Sequence, residues 1–82
     1  MPYFTYILRC SDDTLYTGWT DNIEKRLDAH NKGVGSKYTR SRLPVTVAHI
    51  EEFASKSEAM SRERAIKKMS RAVKQRLIGN MI

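Results

Sequence analysis

Five residues spread along the 82-residue chain have the side-chain types that hydrolysis of a phosphodiester requires: Tyr6, Tyr16, Arg26, His30 and Glu63. A tyrosine can take the proton of the attacking water only if its phenol is acidified or relays its own proton to a neighbour, here His30. A guanidinium can hold two phosphate oxygens at once, and a carboxylate with water can hold one Mg²⁺. Because tyrosines in strands usually belong to the core or the sheet surface, residue types alone do not single out this set.

One predicted helix carries both the guanidinium and the imidazole. Arg26 and His30 are four residues apart, so their side chains are neighbours on a helix surface. At about 100° per residue, Ile23, Leu27 and His30 share one face, with Arg26 at its edge. The helix therefore aims a cation and an imidazole toward whatever its apolar face packs on, which is typical of a site for an anion.

Three strands and three helices are predicted around these residues. Aromatic and β-branched residues mark the strands, and capping residues mark the helix starts. The strands are expected over residues 3–10, 14–19 and 45–53. The first helix is expected to begin after a cap at Asp21 or Asn22 and to end near residues 30–31, with Gly33 as its stop. The second helix is expected after the capping box at Ser55, and the third over residues 71–78 after Ser70. A single continuous helix from Ser55 is the alternative to the last two.

The relation between Tyr6 and Tyr16 depends on the hairpin turn that joins the first two strands. Side chains alternate along a strand, so an odd-numbered loop places both phenols on one face of the sheet and an even-numbered loop separates them. We expect the same face.

Glu63 falls in the middle of a helical face that also carries Ala59, Ile66 and Ser70. A carboxylate on an apolar stripe is destabilising unless it is paired or coordinated. A buried salt bridge, with Arg26 as a candidate partner, and a metal ligand are the two interpretations. The residue pattern alone favours the salt bridge.

The charge balance indicates a polyanionic partner. Fifteen Lys and Arg against nine Asp and Glu give a formal net charge of +6, which favours nucleic acid first and an anionic membrane second. The alternative is a basic protein whose charges are simply solvated. Residues 32–44 are expected to form a flexible basic loop that contacts phosphates and stacks a base, and residues 62–76 are a second basic surface or a solvated face. The candidate contacts to nucleic acid are Lys25, Lys37, Tyr38, Arg40, Arg42 and Lys67.

Other features of the sequence exclude several classes. Cys10 is the only cysteine, so no intramolecular disulfide and no thiolate zinc site is expected. The first residues lack the pattern of a signal peptide, and no apolar run approaches the roughly 20 residues that span a bilayer. We expect one domain over residues 1–82, in the cytosol, with no membrane partner.

The chain resembles the GIY-YIG nuclease superfamily, most closely its small stand-alone bacterial members. Residues 4–6 (Phe-Thr-Tyr) stand where the family has Gly-Ile-Tyr, and residues 16–18 (Tyr-Thr-Gly) where it has Tyr-Ile-Gly. Arg26 and His30 match the family's helix residues, and Glu63 matches its metal-binding glutamate. The first triplet lacks its Gly and Ile, and the second lacks its Ile. The family's additional Asn has no clear counterpart, and Gln75 is the nearest amide.

This resemblance implies an α+β fold, a three-stranded antiparallel sheet flanked by helices in the order β-β-α-β-α-α. It implies a Mg²⁺-dependent endonuclease acting on DNA, with tyrosines lining the site, Arg26 at the phosphoryl centre and Glu63 on the metal. RNA stays open as a substrate, as does the choice of base between Tyr6 and Tyr16. Because larger members attach recognition domains, we expect specificity to be low or to come from a protein partner. The alternative is a nucleic-acid-binding module that does little chemistry on the same scaffold.

Overall fold

The computed structural model describes residues 2–79 as three strands and four helices. In chain order these are β1 (Tyr3–Arg9), β2 (Leu15–Thr20), α1 (Ile23–Asn31), α2 (Lys37–Arg40), β3 (Thr46–Phe53), α3 (Lys56–Lys67) and α4 (Arg71–Gly79). The strands form one antiparallel sheet in the order β2-β1-β3. The predicted fold class is therefore confirmed, with every strand boundary within one residue of its predicted position.

The register of the hairpin places both phenols on one face of the sheet. Leu8 pairs directly with Tyr16, and side chains at paired positions project to the same side. Since Tyr6 and Leu8 are two residues apart on β1, they share that side with Tyr16. The expectation of a common face is confirmed.

Helix α1 covers this face of the sheet. Its Ile23 and Leu27 pack against a buried cluster that contains Tyr6 and Leu8. Asn22 caps the helix, and its side chain accepts a hydrogen bond from the Lys25 backbone N–H at 3.1 Å. Gly33, with a φ of 81°, follows the C-cap as predicted, because the left-handed conformation that ends the helix is easily adopted by glycine. The two ends of α1 thereby fix where its polar side chains point.

Helix α2 corrects the prediction of a flexible loop over residues 32–44. Ser36 caps this single turn, and its hydroxyl accepts a hydrogen bond from the Thr39 backbone N–H at 3.1 Å. The Thr39 side chain is fully buried, so the turn docks on the body of the protein. The prediction of a flexible loop was wrong for residues 37–40, because the many cations and glycines of the segment are typical of a loop although a short capped helix forms there.

Helix α3 lies on the opposite face of the sheet. Ala59 and Ile66 are fully buried, and the hydroxyl of Thr5, on the reverse side of β1 from Tyr6, donates to the Ala59 carbonyl at 2.7 Å. Ser70, predicted to share the buried face, is exposed, because α3 ends at Lys67 and a new helix follows. Its hydroxyl accepts from the Val73 N–H at 3.3 Å at the start of α4, so two helices are observed rather than one continuous helix.

Candidate active site

The phenol of Tyr6 lies at the centre of a buried polar cluster between β1 and α1. Tyr6 is only 1% exposed. Its oxygen accepts a hydrogen bond from Arg26 Nε at 3.3 Å and lies 3.1 Å from His30 Nε2. The structure therefore brings together three of the residues that the sequence singled out, one from the sheet and two from α1.

The direction of these hydrogen bonds follows from the donors. A guanidinium N–H only donates, so the Tyr6 oxygen accepts from Arg26, and we assign the phenol hydrogen to His30 Nε2, its other partner. The other ring nitrogen, Nδ1, then carries the imidazole hydrogen and donates to Thr39 Oγ1 at 2.8 Å. Burial, and secondly the charge of Arg26, lower the pKa of His30. His30 is thus a neutral imidazole poised to accept the phenol proton.

Thr39 is a positioning residue that sequence reasoning missed. Its hydroxyl is bonded to His30 and lies 2.9 Å from the Ser36 hydroxyl, so α2 fixes the tautomer and the ring orientation of the histidine. The one available signal was the spacing of Ser36 and Thr39, which suits a capped turn. That spacing does not reveal that the turn docks against His30.

The Tyr6 phenol keeps its proton at neutral pH. Burial raises the pKa of Tyr6, the hydrogen bond and charge of Arg26 oppose this, and the negative charge of Glu63 adds a little to the rise. A phenol in this state is not a base by itself. It can take a proton only while it passes its own to His30.

Arg26 is held in place by hydrogen bonds on two of its nitrogens. Nε donates to Tyr6, and Nη2 donates to the Gly35 carbonyl at 3.1 Å. The hydrogen bond to Tyr6 raises the pKa of the guanidinium, with burial opposing it, so Arg26 is charged. Because of these two hydrogen bonds, Arg26 is a fixed cation rather than a mobile surface charge.

Glycine is required at residue 35, where the chain passes close to α1. A Cβ at Gly35 would collide with the ring and backbone of His30.

Two adjoining clefts open beside this cation. The first has a volume of 310 Å³ and is lined by Trp19, Thr20, Asp21 and Arg26. The second, of 230 Å³, shares the last three of these residues and continues along α1, where it is lined also by Asn22, Lys25 and Ala29. Arg26 therefore borders both clefts, and a cation there is suited to a phosphate of a strand that lies in them.

Gly18 gives the Tyr6 phenol its room. A Cβ atom at residue 18 would lie 2.5 Å from the phenol oxygen of Tyr6 and 2.7 Å from its Cζ. Both contacts are far below van der Waals distance, so any larger residue must displace the ring. This is the physical reason for glycine at the end of the second triplet.

We expect Gly18→Ala to destabilise the protein by about 1–3 kcal/mol, the usual cost of overpacking a core. Displacing the phenol breaks its alignment with Arg26 and His30. We therefore expect the cleavage rate to fall even at temperatures where Gly18→Ala remains fully folded. Urea unfolding and a cleavage assay measure the two effects. Gly79→Ala is the matched control, since a Cβ there meets no atom within 4 Å in the part of the chain that the structure describes. Equal activity of Gly18→Ala and the wild type would contradict this account of the phenol.

Tyr16 and Tyr38 extend the cluster toward the surface. The Tyr16 ring meets His30 edge-on at a centroid distance of 5.3 Å, and the Tyr38 ring stacks on Tyr16 at 5.9 Å. The guanidinium carbon of Arg42 lies over the Tyr38 ring, 4.1 Å from its centroid. Arg42 is itself held by Asp12 at 3.0 Å. Tyr38 and Arg42 thus pack beside Tyr16, and their contact with nucleic acid stays a prediction.

Glu63 projects from α3 as a carboxylate of which the side chain is 18% exposed. Its ion pair is with Lys67, one turn away, at 3.5 Å. The salt bridge to Arg26 considered from the sequence is not formed, because the hydrogen bonds of Arg26 go to Tyr6 and Gly35. The charge of Glu63 is the last of the causes that raise the pKa of the Tyr6 phenol.

A model of the GIY-YIG catalytic domain matches residues 2–76. The chain belongs to the GIY-YIG family. A UPF0213 protein of Syntrophus aciditrophicus is 60% identical over 76 residues, which cover 92% of this chain and 87% of the relative. One of the archaeon Natronomonas pharaonis is 53% identical over 78 residues, 95% of this chain and 92% of the relative.

Two solution NMR structures show the same fold. A UPF0213 protein of Bacillus halodurans matches with a TM-score of 0.63 and 40% identity, over 96% of this chain and 84% of that one. A protein of E. faecalis matches with a TM-score of 0.66 and 38% identity, over 99% and 86%. Membership of the GIY-YIG family indicates a nuclease-type function that involves nucleic acid, and nucleases of this family generally use a divalent metal.

The donor set of this GIY-YIG domain suits a metal held by a single carboxylate. Within residues 2–79 no group of three or more His, Cys, Asp or Glu side chains is gathered as a ready-made metal cage. Mg²⁺ is commonly bound by one or two carboxylates, with water and substrate phosphate oxygens completing its shell. Glu63, a carboxylate whose side chain is 18% exposed, fits that description. Gln75 lies elsewhere: it accepts a hydrogen bond from Arg9 at 3.5 Å, on the reverse side of β1 from Tyr6.

The remaining basic candidates are distributed over the surface of the domain. Lys25 is exposed and lines the second cleft. Lys37 and Arg40 are exposed on α2, and Lys67 is paired with Glu63. Over the part of the chain that the structure describes, no helix has the length and apolar character needed to cross a membrane.

Proposed function

We propose that this protein is a Mg²⁺-dependent endonuclease that hydrolyses phosphodiester bonds in DNA. The observation that carries the proposal is the Tyr6 phenol, which lies 3.1 Å from a neutral His30 and accepts a hydrogen bond from Arg26, a residue that also lines an open cleft. This arrangement supplies a proton path and a cation at one point, which is what attack of water on a phosphate needs.

The proton path runs through Tyr6. As water attacks phosphorus, its proton goes to the Tyr6 oxygen while the phenol proton goes to His30 Nε2, so the charge of the relay ends on the imidazole. Thr39 accepts from Nδ1 and keeps the imidazole oriented as it becomes charged. Tyr16 packs its ring against His30 and limits the access of bulk water to it. In this proposal Tyr6 is the relay and Tyr16 holds the histidine.

Charge at the phosphorus centre is met by Arg26. Its guanidinium is fixed before substrate arrives, so little reorganisation is needed when negative charge accumulates on the phosphate oxygens. Glu63 would hold one Mg²⁺, whose charge when bound offsets that of the phosphate and of the leaving oxygen. Lys25, in the adjoining cleft, would contact a neighbouring phosphate of the strand.

The second candidate function is a nucleic-acid-binding module with little or no catalysis. The near-complete burial of Tyr6 favours it, since the phenol must be reached by water before it can relay a proton. The basic surface serves this candidate equally well, and RNA is then as suitable a ligand as DNA.

A cleavage panel separates the two candidates. Branched, nicked, single-stranded and duplex DNA, together with a matched RNA, are incubated with the protein in Mg²⁺ or in excess chelator. We expect cutting of at least one DNA in Mg²⁺ and none in chelator. Salt-sensitive binding without cutting of any substrate would instead support the binding module.

A further inference from the structure

We propose that Trp19 and Lys56 form a nucleotide subsite next to Arg26, in which the indole stacks on a base and the lysine contacts a phosphate. Trp19 is the only tryptophan of the chain, is half-buried, and lines the first cleft together with Arg26. Lys56 Nζ lies 5.3 Å from the centroid of the indole ring. An aromatic ring paired with a cation is the combination that single-stranded nucleic acid sites use.

The position of Trp19 in the sheet explains how it reaches the same cleft as Arg26. Trp19 pairs with Thr5, so its side chain leaves the sheet on the side of α3, whereas Arg26 approaches from α1 on the other side. Strand β2 is at an edge of the sheet. The cleft therefore lies where the two faces meet, and a strand that crosses this edge passes the guanidinium and then the indole.

Other aromatic side chains are less suited to the role. Tyr38, which the sequence suggested for base stacking, already stacks on Tyr16 and also has the Arg42 guanidinium over its ring. That the phosphate at Arg26 is the one that is cut rests on the proposed function, whereas stacking on Trp19 does not.

The single tryptophan makes the subsite directly measurable. The wild-type protein in chelator is titrated with a short single-stranded DNA, and indole fluorescence is recorded while the anisotropy of a dye on the DNA reports binding. The comparison ligand has the same length and phosphates with abasic sugars in place of the bases. We expect the normal DNA to quench the indole and to bind about 10-fold more tightly than the abasic one. Binding of normal DNA without quenching, or equal quenching by both ligands, would overturn the proposal.

Variants separate stacking from packing. Trp19→Phe should retain most of the affinity because it keeps a ring, while Trp19→Leu should lose about 10-fold. Lys56→Ala should weaken binding several-fold and reduce its salt dependence, whereas Lys68→Ala, an exposed lysine after the other end of α3, should change it little. If Trp19→Leu does not fold, the abasic comparison on the wild type decides alone. None of these measurements needs cleavage, so quenching by a protein that never cuts leaves the subsite standing and removes only the nuclease.

Discussion

Glu63→Gln is expected to abolish Mg²⁺-dependent cleavage while leaving the fold and the affinity for DNA nearly unchanged. A neutral amide of the same shape is a poor ligand for Mg²⁺, which prefers charged carboxylates. Among residues 2–79 the one ion pair lost is that with Lys67, which is partly exposed and within one helix, so its contribution to stability is a few tenths of a kcal/mol. Cleavage rates at saturating protein, DNA binding by anisotropy and thermal unfolding give the three readouts.

Glu52→Gln is the control for this prediction. Glu52 is an exposed carboxylate on β3, so its removal changes the net charge in the same way without touching α3. The control should cut at the wild-type rate. If Glu63→Gln also cuts at that rate in Mg²⁺, the assignment of the metal to Glu63 is wrong.

Arg26→Lys should slow cleavage by about 10²–10³-fold, the loss typical of removing one preorganised donor from a transition state. The lysine keeps the positive charge but cannot hold Tyr6 and Gly35 at once, because its ammonium is a point charge rather than a planar fork. The phenol then loses the donor that orients its hydrogen toward His30. Single-turnover kinetics isolate this effect from binding.

Lys25→Ala provides the contrast in the adjacent position. Its side chain lines the second cleft without a bond to the Tyr6 cluster, so we expect weaker binding and a smaller salt dependence with an almost unchanged single-turnover rate. A rate for Arg26→Lys within twofold of the wild type would mean that charge alone suffices and that the fork geometry has no role.

Much of the cluster could be predicted from local pattern. The four-residue spacing of Arg26 and His30 makes them neighbours on any helix, and alternation along the hairpin places Tyr6 and Tyr16 together once the turn length is fixed. The resemblance of the two triplets then supplies the link between the sheet and α1. Gly18 explains why glycine ends the second triplet: the Tyr6 phenol occupies the space that a Cβ at residue 18 would need.

The parts that were not predicted depend on contacts between distant segments. Thr39 matters only because α2 docks on His30, and Tyr38 stacks on Tyr16 beneath an Arg42 that is anchored by Asp12, thirty residues away from it. The role of Trp19 follows from β2 being an edge strand, which depends on where β3 pairs. A residue's own type and its local spacing carry no information on these arrangements.

The central claim is that a DNA phosphodiester is broken at Arg26 with the help of the Tyr6 relay and Glu63. The most direct test compares single-turnover cleavage by the wild type, Arg26→Lys and Glu63→Gln on the best DNA substrate of the panel, in Mg²⁺, at protein concentrations that saturate binding of all three. The account predicts cutting by the wild type, a rate lower by about 10²–10³-fold for Arg26→Lys, and none for Glu63→Gln. Equal rates for all three proteins, or no cutting by the wild type while it binds the DNA, would contradict it.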